Sequence, residues 1–321
     1  DVYKRQILIG ALAISSMSTA LPAIRGDLTL SDSGALWLVD VYALSLAATL
    51  IIAARIGDAF GRKRIVLAGL AGFAVLNLVG GFAQDGMLLI VVRALLGVAE
   101  AFVVAGVVAT IGAHYHARQR VLAYGMWTAT FGAGSALGPV LGGLVTEGPG
   151  WRWLLLGSVP LAVVAGVLAI WLVPDSRTSR RPSWDILSIL SSIVALGALV
   201  FALHEVLAAP LAAGIAGVVA VGTLVFFIRR QRTLAEPLID MRLFRVPGFS
   251  PAIVRIVASG GVSTASVLLV SLHLQDARGF SAAEAGIAIL PQAVAIALGG
   301  VLAPLFPVSY THLTLPTICS V

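Results

Sequence analysis

Charge is scarce in this chain of 321 residues: Asp, Glu, Lys and Arg together make up 11 %, where a soluble domain carries about 25 %. That scarcity excludes a soluble enzyme, a charged coiled coil and a disordered tail. Cysteine is almost absent, with one residue at Cys319, which excludes a disulfide scaffold, a thiolate metal site and a redox relay. Basic residues outnumber acidic ones, 21 to 15, but they do not cluster with interleaved aromatics as a nucleic-acid surface requires. Histidines 114, 116, 204 and 273 fall in loops or at the edges of apolar runs, too scattered to hold a metal inside a hydrophobic layer. There is no His-Glu-x-x-His, no glycine-rich phosphate loop ending in Lys-Ser/Thr and no evident nucleophile–base pair. Enzyme chemistry, a cofactor, a metal and a nucleic-acid partner are therefore not expected. What is abundant is oil: 59 % of residues are hydrophobic and the mean hydropathy is +1.01.

The two ends read as foreign to the fold. Residues 1–6 can be encoded by GAT GTG TAT AAG AGA CAG, and the reverse complement of that string, shifted in frame, encodes Val308-Ser-Tyr-Thr-His312. One gene has no reason to begin and end on reverse complements, whereas a sequencing adapter read through at both ends of a short fragment does. Residues 1–6 and 308–321, with Cys319, are set aside on this ground. The expectation is of a natural protein longer at both ends.

Apolar runs of the length that crosses a bilayer, about 20 residues, occur at 7–24, 35–56, 65–83, 87–109, 121–145, 154–173, 185–203, 209–228, 249–272 and 283–306. The expected fold class is an all-α membrane protein with nine complete spans and most of a tenth, since lipid offers the backbone no outside hydrogen-bond partner. No run shows the ten-residue alternation of a β-barrel. The short connections alternate in charge. One side holds Arg55, Arg62, Lys63, Arg64, Arg118, Arg120, Arg177, Arg180, Arg181, Arg229, Arg230, Arg232, Arg242 and Arg245; the other holds Arg25, Arg152 and Arg278. Fourteen against three places residue 7 and the loop after the second span at the cytoplasm. Trp37, Trp151 and Trp153 then mark outer ends of spans, and Trp171 and Trp184 inner ends.

A faint internal repeat, offset by 252 residues, aligns Thr29 to Gly34 and the second span with Ser281 to Gly286 and the tenth. Repeated halves with a binding site between them are a common transporter plan. The expected organisation is a six-helix half over 7–173, an inserted pair of spans over 174–230, and the start of a second half over 231–307.

Three groups of residues carry mechanism. The loop between spans two and three contains Gly57, Asp58, Gly61, Arg62, Lys63 and Arg64. Its glycines permit a sharp reversal, its basic triplet holds to an anionic surface, and Asp58 can face a helix N-terminus or the guanidiniums. This is a gating loop or a plain topology anchor. In span five, Gly134, Gly138 and Gly142 recur every four residues beside Pro139 and Gly143. They form a flat face for close helix packing, with a proline that deletes one backbone bond. The sharpest signal is ionisable residues inside spans, each costing a few kcal/mol or more at the bilayer centre. Arg93 and Glu100 are seven residues apart in span four, on one helix face about 10 Å apart. Asp40 in span two lies at the depth of Arg93 and is expected to pair with it if the helices touch. A carboxylate such as Glu100, deep in span four, can hold a proton or exchange it for a cation. Arg255, early in span nine, is expected to snorkel to the interface, and Glu147 and Asp185 to be interfacial.

The Gly57–Arg64 loop, Arg93-x-x-x-Gly97 and Gly138-Pro139-x-x-Gly142-Gly143 resemble the signature motifs of the major facilitator superfamily, the last being its antiporter motif. Trp37-Leu-Val-Asp40-Val-Tyr42, Ala20-Leu-Pro22, Trp151-Arg-Trp153 to Pro160, Pro237-Leu-Ile-Asp240 with Leu243-Phe244, and Gly286 to Leu290-Pro291 are similar to the fourteen-helix drug:proton antiporter-2 family, in its quaternary ammonium and methyl viologen branch. The resemblance spans residues 7 to about 307. It implies proton-driven export of lipophilic cations across a bacterial inner membrane, with Arg93 in proton relay, Asp58 and its basic neighbours in gating, and the glycine–proline helix in exchange. Departures from the pattern are Ala13 in place of a first-span acid, Ala54 and Ala59 in the loop motif, and Ser158 in place of asparagine. Glu100 can take over from the missing first-span carboxylate.

The function expected from the sequence is a proton-coupled multidrug exporter working by alternating access on a small amphipathic cation, with protons and the lipid bilayer as its other partners. Two other readings stay open: export of a neutral or anionic metabolite or antibiotic, with Arg93 or Arg255 meeting the substrate, and a membrane sensor or scaffold that transports nothing.

Overall fold

The computed structural model describes residues 2–174 and 185–302. Arg177, Arg180, Arg181 and Trp184, the second-half segment from 303 to 307 and the tail 308–321 with Cys319 lie outside the described residues. Among the described residues every regular element is helical: α1 Val2–Asp27, α2 Asp32–Phe60, α3 Arg62–Gly81, α4 Gly86–His114, α5 Ala117–Glu147, α6 Arg152–Leu156, α7 Ser158–Leu172, α8 Ile186–His204, α9 Pro210–Thr233, α10 Phe249–Leu272 and α11 Ala282–Leu302. A 3-10 turn at Met241–Arg245 precedes α10, and a π turn at His273–Ala277 extends it.

Among the described residues eight helical stretches are long and apolar enough to cross a membrane, with α6 and α7 counted as one and α10 taken through its π turn. The first and tenth expected spans are the helices α1 and α11, of 26 and 21 residues. The sixth span is interrupted at Gly157 (a Cβ there would sit 2.8 Å from the Trp153 carbonyl oxygen), just before Pro160, which has no N–H to continue the ladder.

Capping chemistry sets the boundaries. Ser31 accepts from the Gly34 N–H at the start of α2, and Asp85 from the Leu88 N–H at the start of α4, each satisfying an orphan donor of a first turn. Between α2 and α3 the chain reverses on the single residue Gly61, whose φ of 108° is open to glycine and strained for any residue with a Cβ.

Helices α1 to α4, with α6 and α7, enclose the core, where Met17, Ile24, Leu38, Phe73, Leu89, Leu96 and Leu155 are buried. Buried polar side chains turn back on their own helices: Thr19 donates to Ser16 O, Asn77 to Phe73 O and Thr110 to Gly106 O. An uncompensated donor in an apolar interior costs a few kcal/mol, and the preceding turn is the nearest acceptor. Helices α8 and α9 pack on each other, and α8 also touches α2.

The α8–α9 pair is stitched together at its arginine-rich end. Arg230 donates to both carboxylate oxygens of Asp185, with a closest distance of 2.8 Å, and Ser188 donates to the same carboxylate. Buried Gln231 donates to Ser188 Oγ at 2.6 Å and accepts from the backbone N–H groups of Leu238 and Ile239. The Arg230 hydrogen bonds hold the Asp185 carboxyl at a pKa of about 2, against an ordinary 3.8. A depressed carboxylate pKa contributes stability above the ordinary value and loses it as pH falls through the depressed one. Asp185→Asn is therefore expected to lower the melting temperature at neutral pH, with the deficit shrinking as pH falls from about 4 through about 2, as read by thermal unfolding across a pH series.

Candidate functional site

The ionisable residues of α4 lie inside the helix cluster. Arg93 is fully buried and Glu100 is 6 % exposed. Gly97, between them, makes this possible: a Cβ there would run into the Tyr42 carbonyl oxygen and sit 3.0 Å from Leu46 N, so α2 and α4 touch backbone to backbone. Arg93 Nε donates to Leu38 O at 3.3 Å, and its guanidinium lies 4.4 Å from the centre of the Tyr42 ring, an attraction between cation and aromatic face that strengthens away from water. Leu38 and Tyr42 are four residues apart and share one face of α2. The Glu100 carboxylate lies against α1 at Gly10, where a Cβ would overlap it. Among the described residues Glu100 forms no ion pair. The Tyr42 hydroxyl is buried with no hydrogen-bond partner among them.

The expected pair of Asp40 and Arg93 is not formed. Asp40 sits on another side of α2 from Leu38 and Tyr42 and accepts a 2.6 Å hydrogen bond from His204 Nε2, at the end of α8. The Trp37 ring lies 4.9 Å from the His204 ring, and one turn earlier Ser33 donates to Glu205 at 2.9 Å. The reason is rotational: a helix advances about 100° per residue, so residues 38 and 42 face α4 while residue 40 faces α8. His204, placed at a span edge by the sequence, is thus tied to an acidic residue of the second span.

The expected loop over Gly57–Arg64 reduces to Gly61: Asp58 lies in the last turn of α2 and Arg62 opens α3, where it pairs with Asp58 at 3.3 Å, which resolves Asp58 toward a guanidinium. Lys63 Nζ donates to Ile170 O at 2.6 Å, fastening the end of α7. Gly57 accommodates Ile65, and Arg64 is exposed. Arg55, on the last turns of α2, donates to Pro237 O at 2.7 Å. That contact joins α2 to the chain between α9 and α10, a partnership 182 residues distant that nothing in the local sequence announces.

Helix α5 presents glycines to two neighbours. Gly138 and Gly142 meet α1 at Ser15, Ser16 and Thr19, and Ser15 Oγ donates to Gly134 O at 3.3 Å. Gly143 meets the backbone of Ala282 and Ala283, and in return Gly286 of α11 meets Pro139 O, 2.5 Å from where its Cβ would stand. At the arginine-poor end Glu147 accepts from the Ala283 N–H at 2.9 Å, capping α11. The sequence indicated one flat face; the structure shows a helix wedged between α1 and α11. Arg255 is exposed on α10.

A family model described as Major Facilitator Superfamily matches residues 7–310. The chain belongs to the major facilitator superfamily. It is a multi-pass membrane protein of a transporter family. Its relatives include the multidrug efflux pump LfrA of Mycolicibacterium smegmatis, 37 % identical over 92 % of this chain and 59 % of that protein. The tetracenomycin C resistance and export protein of Streptomyces glaucescens is 30 % identical over 89 % of this chain and 54 % of its own length. The puromycin resistance protein of Streptomyces alboniger is 33 % identical over 88 % and 57 %. The chain therefore spans little more than half the length of these relatives. Among solved structures, the peptide transporter POT superposes with a TM-score of 0.60 at 15 % identity, over 98 % of this chain and 68 % of that one. At that identity the likeness shows the fold.

The backbone contacts at Gly97 and Gly143 generate a test. In the full-length protein Gly97→Val and Gly143→Val are each expected to cost about 1–3 kcal/mol through overpacking, seen as lower folded yield and a lower melting temperature. Gly166→Val, at a glycine with nothing within 4 Å, is expected to change little; equal losses at all three would remove the packing explanation.

Proposed function

We propose that the full-length protein is a proton-coupled exporter of lipophilic cations, of the fourteen-helix drug:proton antiporter-2 type and its quaternary ammonium branch. Residues 7–173 form its N-terminal half, α8 and α9 an inserted pair, and residues from 231 the start of its second half. The arginine-rich face and the N-terminus lie at the cytoplasm of a bacterial inner membrane. One observation carries the reading: Glu100 is buried among apolar helices with no described ion-pair partner, while Arg93, two turns earlier on the same helix, is stacked on Tyr42. Such a carboxylate is neutralised by a proton or by a cationic guest, and the two exclude each other, because two positive charges at one site repel strongly in a low dielectric. That exclusion is the minimal requirement of antiport.

The remaining residues take supporting roles. Arg93 tunes the surroundings of the Tyr42 hydroxyl, which has no hydrogen-bond partner among the described residues and is suited to a water or a substrate group. Asp40, half-exposed and held by His204, serves as a second proton-binding group nearer the outer face. The Asp58–Arg62 pair and the Lys63 and Arg55 contacts make and break as the inner end of α2 moves. The glycine face of α5 is the surface on which the halves rock, with the Glu147 cap closing the outer side. A second reading, export of a neutral or anionic antibiotic with Arg93 meeting the substrate, draws on the relatives named for tetracenomycin C and puromycin.

Expression of the complete gene in a pump-deficient bacterium is expected to raise resistance to methyl viologen and to drive ethidium efflux that collapses with an uncoupler. Glu100→Gln, at unchanged membrane abundance, is expected to abolish that efflux. Intact proton-driven efflux in Glu100→Gln would contradict the coupling assignment, and resistance to antibiotics without any to cations would favour the second reading.

A further inference from the structure

At the arginine-rich end of α9 a cleft of about 760 Å³ opens between the last turns of that helix and the 3-10 turn that follows. One wall is apolar, built from Leu224, Phe227 and Ile228 of α9 with Phe244 opposite. The other is basic: Arg232, from the last turn of α9, faces the same space as Arg242 and Arg245. In a 3-10 helix side chains three residues apart eclipse one another, so Arg242 and Arg245 stand on one side of their turn. The acidic residue at the rim, Asp240, accepts the Arg242 backbone N–H at 2.9 Å and caps the turn. Among the described residues none of the three arginines has an ion-pair partner.

We infer that this cleft binds an anionic phospholipid, its phosphate among Arg232, Arg242 and Arg245 and its acyl chains along the exposed apolar face of α9. The chemistry on the two walls selects the ligand. Three guanidiniums without an ion-pair partner among the described residues call for a phosphate-bearing anion, which guanidinium forks hold well. A free phosphate ion satisfies only the basic wall and leaves the apolar one bare. The volume is that of sites for organic molecules of several hundred Å³, far larger than one inorganic ion needs. Basic pockets at the cytoplasmic ends of transmembrane helices are suited to anionic headgroups, and the exposed Leu224 side chain carries the apolar wall on toward the hydrocarbon.

The site is also wired into the fold. Gln231, next to Arg232, holds the Leu238 and Ile239 N–H groups, and Arg55 of α2 holds Pro237 O. The segment that floors the cleft is thus one hydrogen bond from the helix that ends in the Gly57–Arg64 loop. The inference does not depend on what the protein carries.

The test uses the full-length protein in a neutral detergent, titrated with phosphatidylglycerol or phosphatidylcholine and read by native mass spectrometry. The wild type is expected to retain phosphatidylglycerol in preference to phosphatidylcholine. Arg242→Gln combined with Arg245→Gln is expected to weaken that retention about tenfold or more, given the contribution of each arginine near an anionic lipid. Arg229→Gln, a basic residue of the same helix end outside the cleft, is expected to leave it unchanged. Equal loss in Arg229→Gln would reduce the effect to general surface charge and overturn the site. Displacement of the lipid by millimolar inorganic phosphate would overturn the lipid assignment in favour of a free-anion site. Unaltered retention in the double variant would overturn both.

Discussion

A charged side chain inside hydrocarbon has no water to answer it, so neighbouring helices must, and the rest of this structure follows from how they reach Arg93 and Glu100. Helix α2 comes close enough to offer the Leu38 carbonyl and the Tyr42 ring to Arg93 only because Gly97 carries no side chain. Helix α1 comes close to Glu100 only because residue 10 is glycine. The same device recurs on α5, whose glycines admit α1 on one side and α11 on the other. Small residues in this bundle let the helices close around polar side chains: Arg93 gains a carbonyl and an aromatic face, while Glu100 is enclosed without an ion-pair partner among the described residues.

Close backbone approach has a mechanical corollary. Interfaces made of glycine against backbone hold few interlocked side chains, so they can slide without repacking a core. Helix α5 has such a surface on two sides, toward α1 and toward α11. The firmer contacts sit at the ends: Asp58 with Arg62 and Lys63 with Ile170 O at the arginine-rich face, Glu147 with Ala283 N and Asp27 with Trp151 and Arg152 at the other. Arg152 foremost holds the Asp27 carboxyl below the usual carboxylate range. Under the proposed antiport cycle, the soft middles stay in contact while the polar contacts at the ends make and break.

Much of this was legible in the sequence. Run length, the alternation of arginines and the scarcity of charge gave the helices and their order, and at Gly157 a continuous apolar run misleads, because apolarity does not report a short interruption beside a proline. Burial of Arg93 and Glu100 followed from their position in apolar runs. What the sequence did not give was rotation. Asp40 and Arg93 share a depth, but two residues of helical turn send Asp40 to His204 and Tyr42 to Arg93. Nor could it give partners brought together by topology alone, such as Arg55 with Pro237 or Ser33 with Glu205, 172 residues apart, since neither contact leaves a periodic trace.

The reading as an antiporter rests on competition at Glu100, and that competition leaves a direct signature. Adding a lipophilic cation to the purified full-length protein in weakly buffered detergent, with a pH-indicator dye present, is expected to release protons from the wild type and none from Glu100→Gln. Equal release from both proteins, or substrate binding by the wild type with no release at any pH, would contradict it.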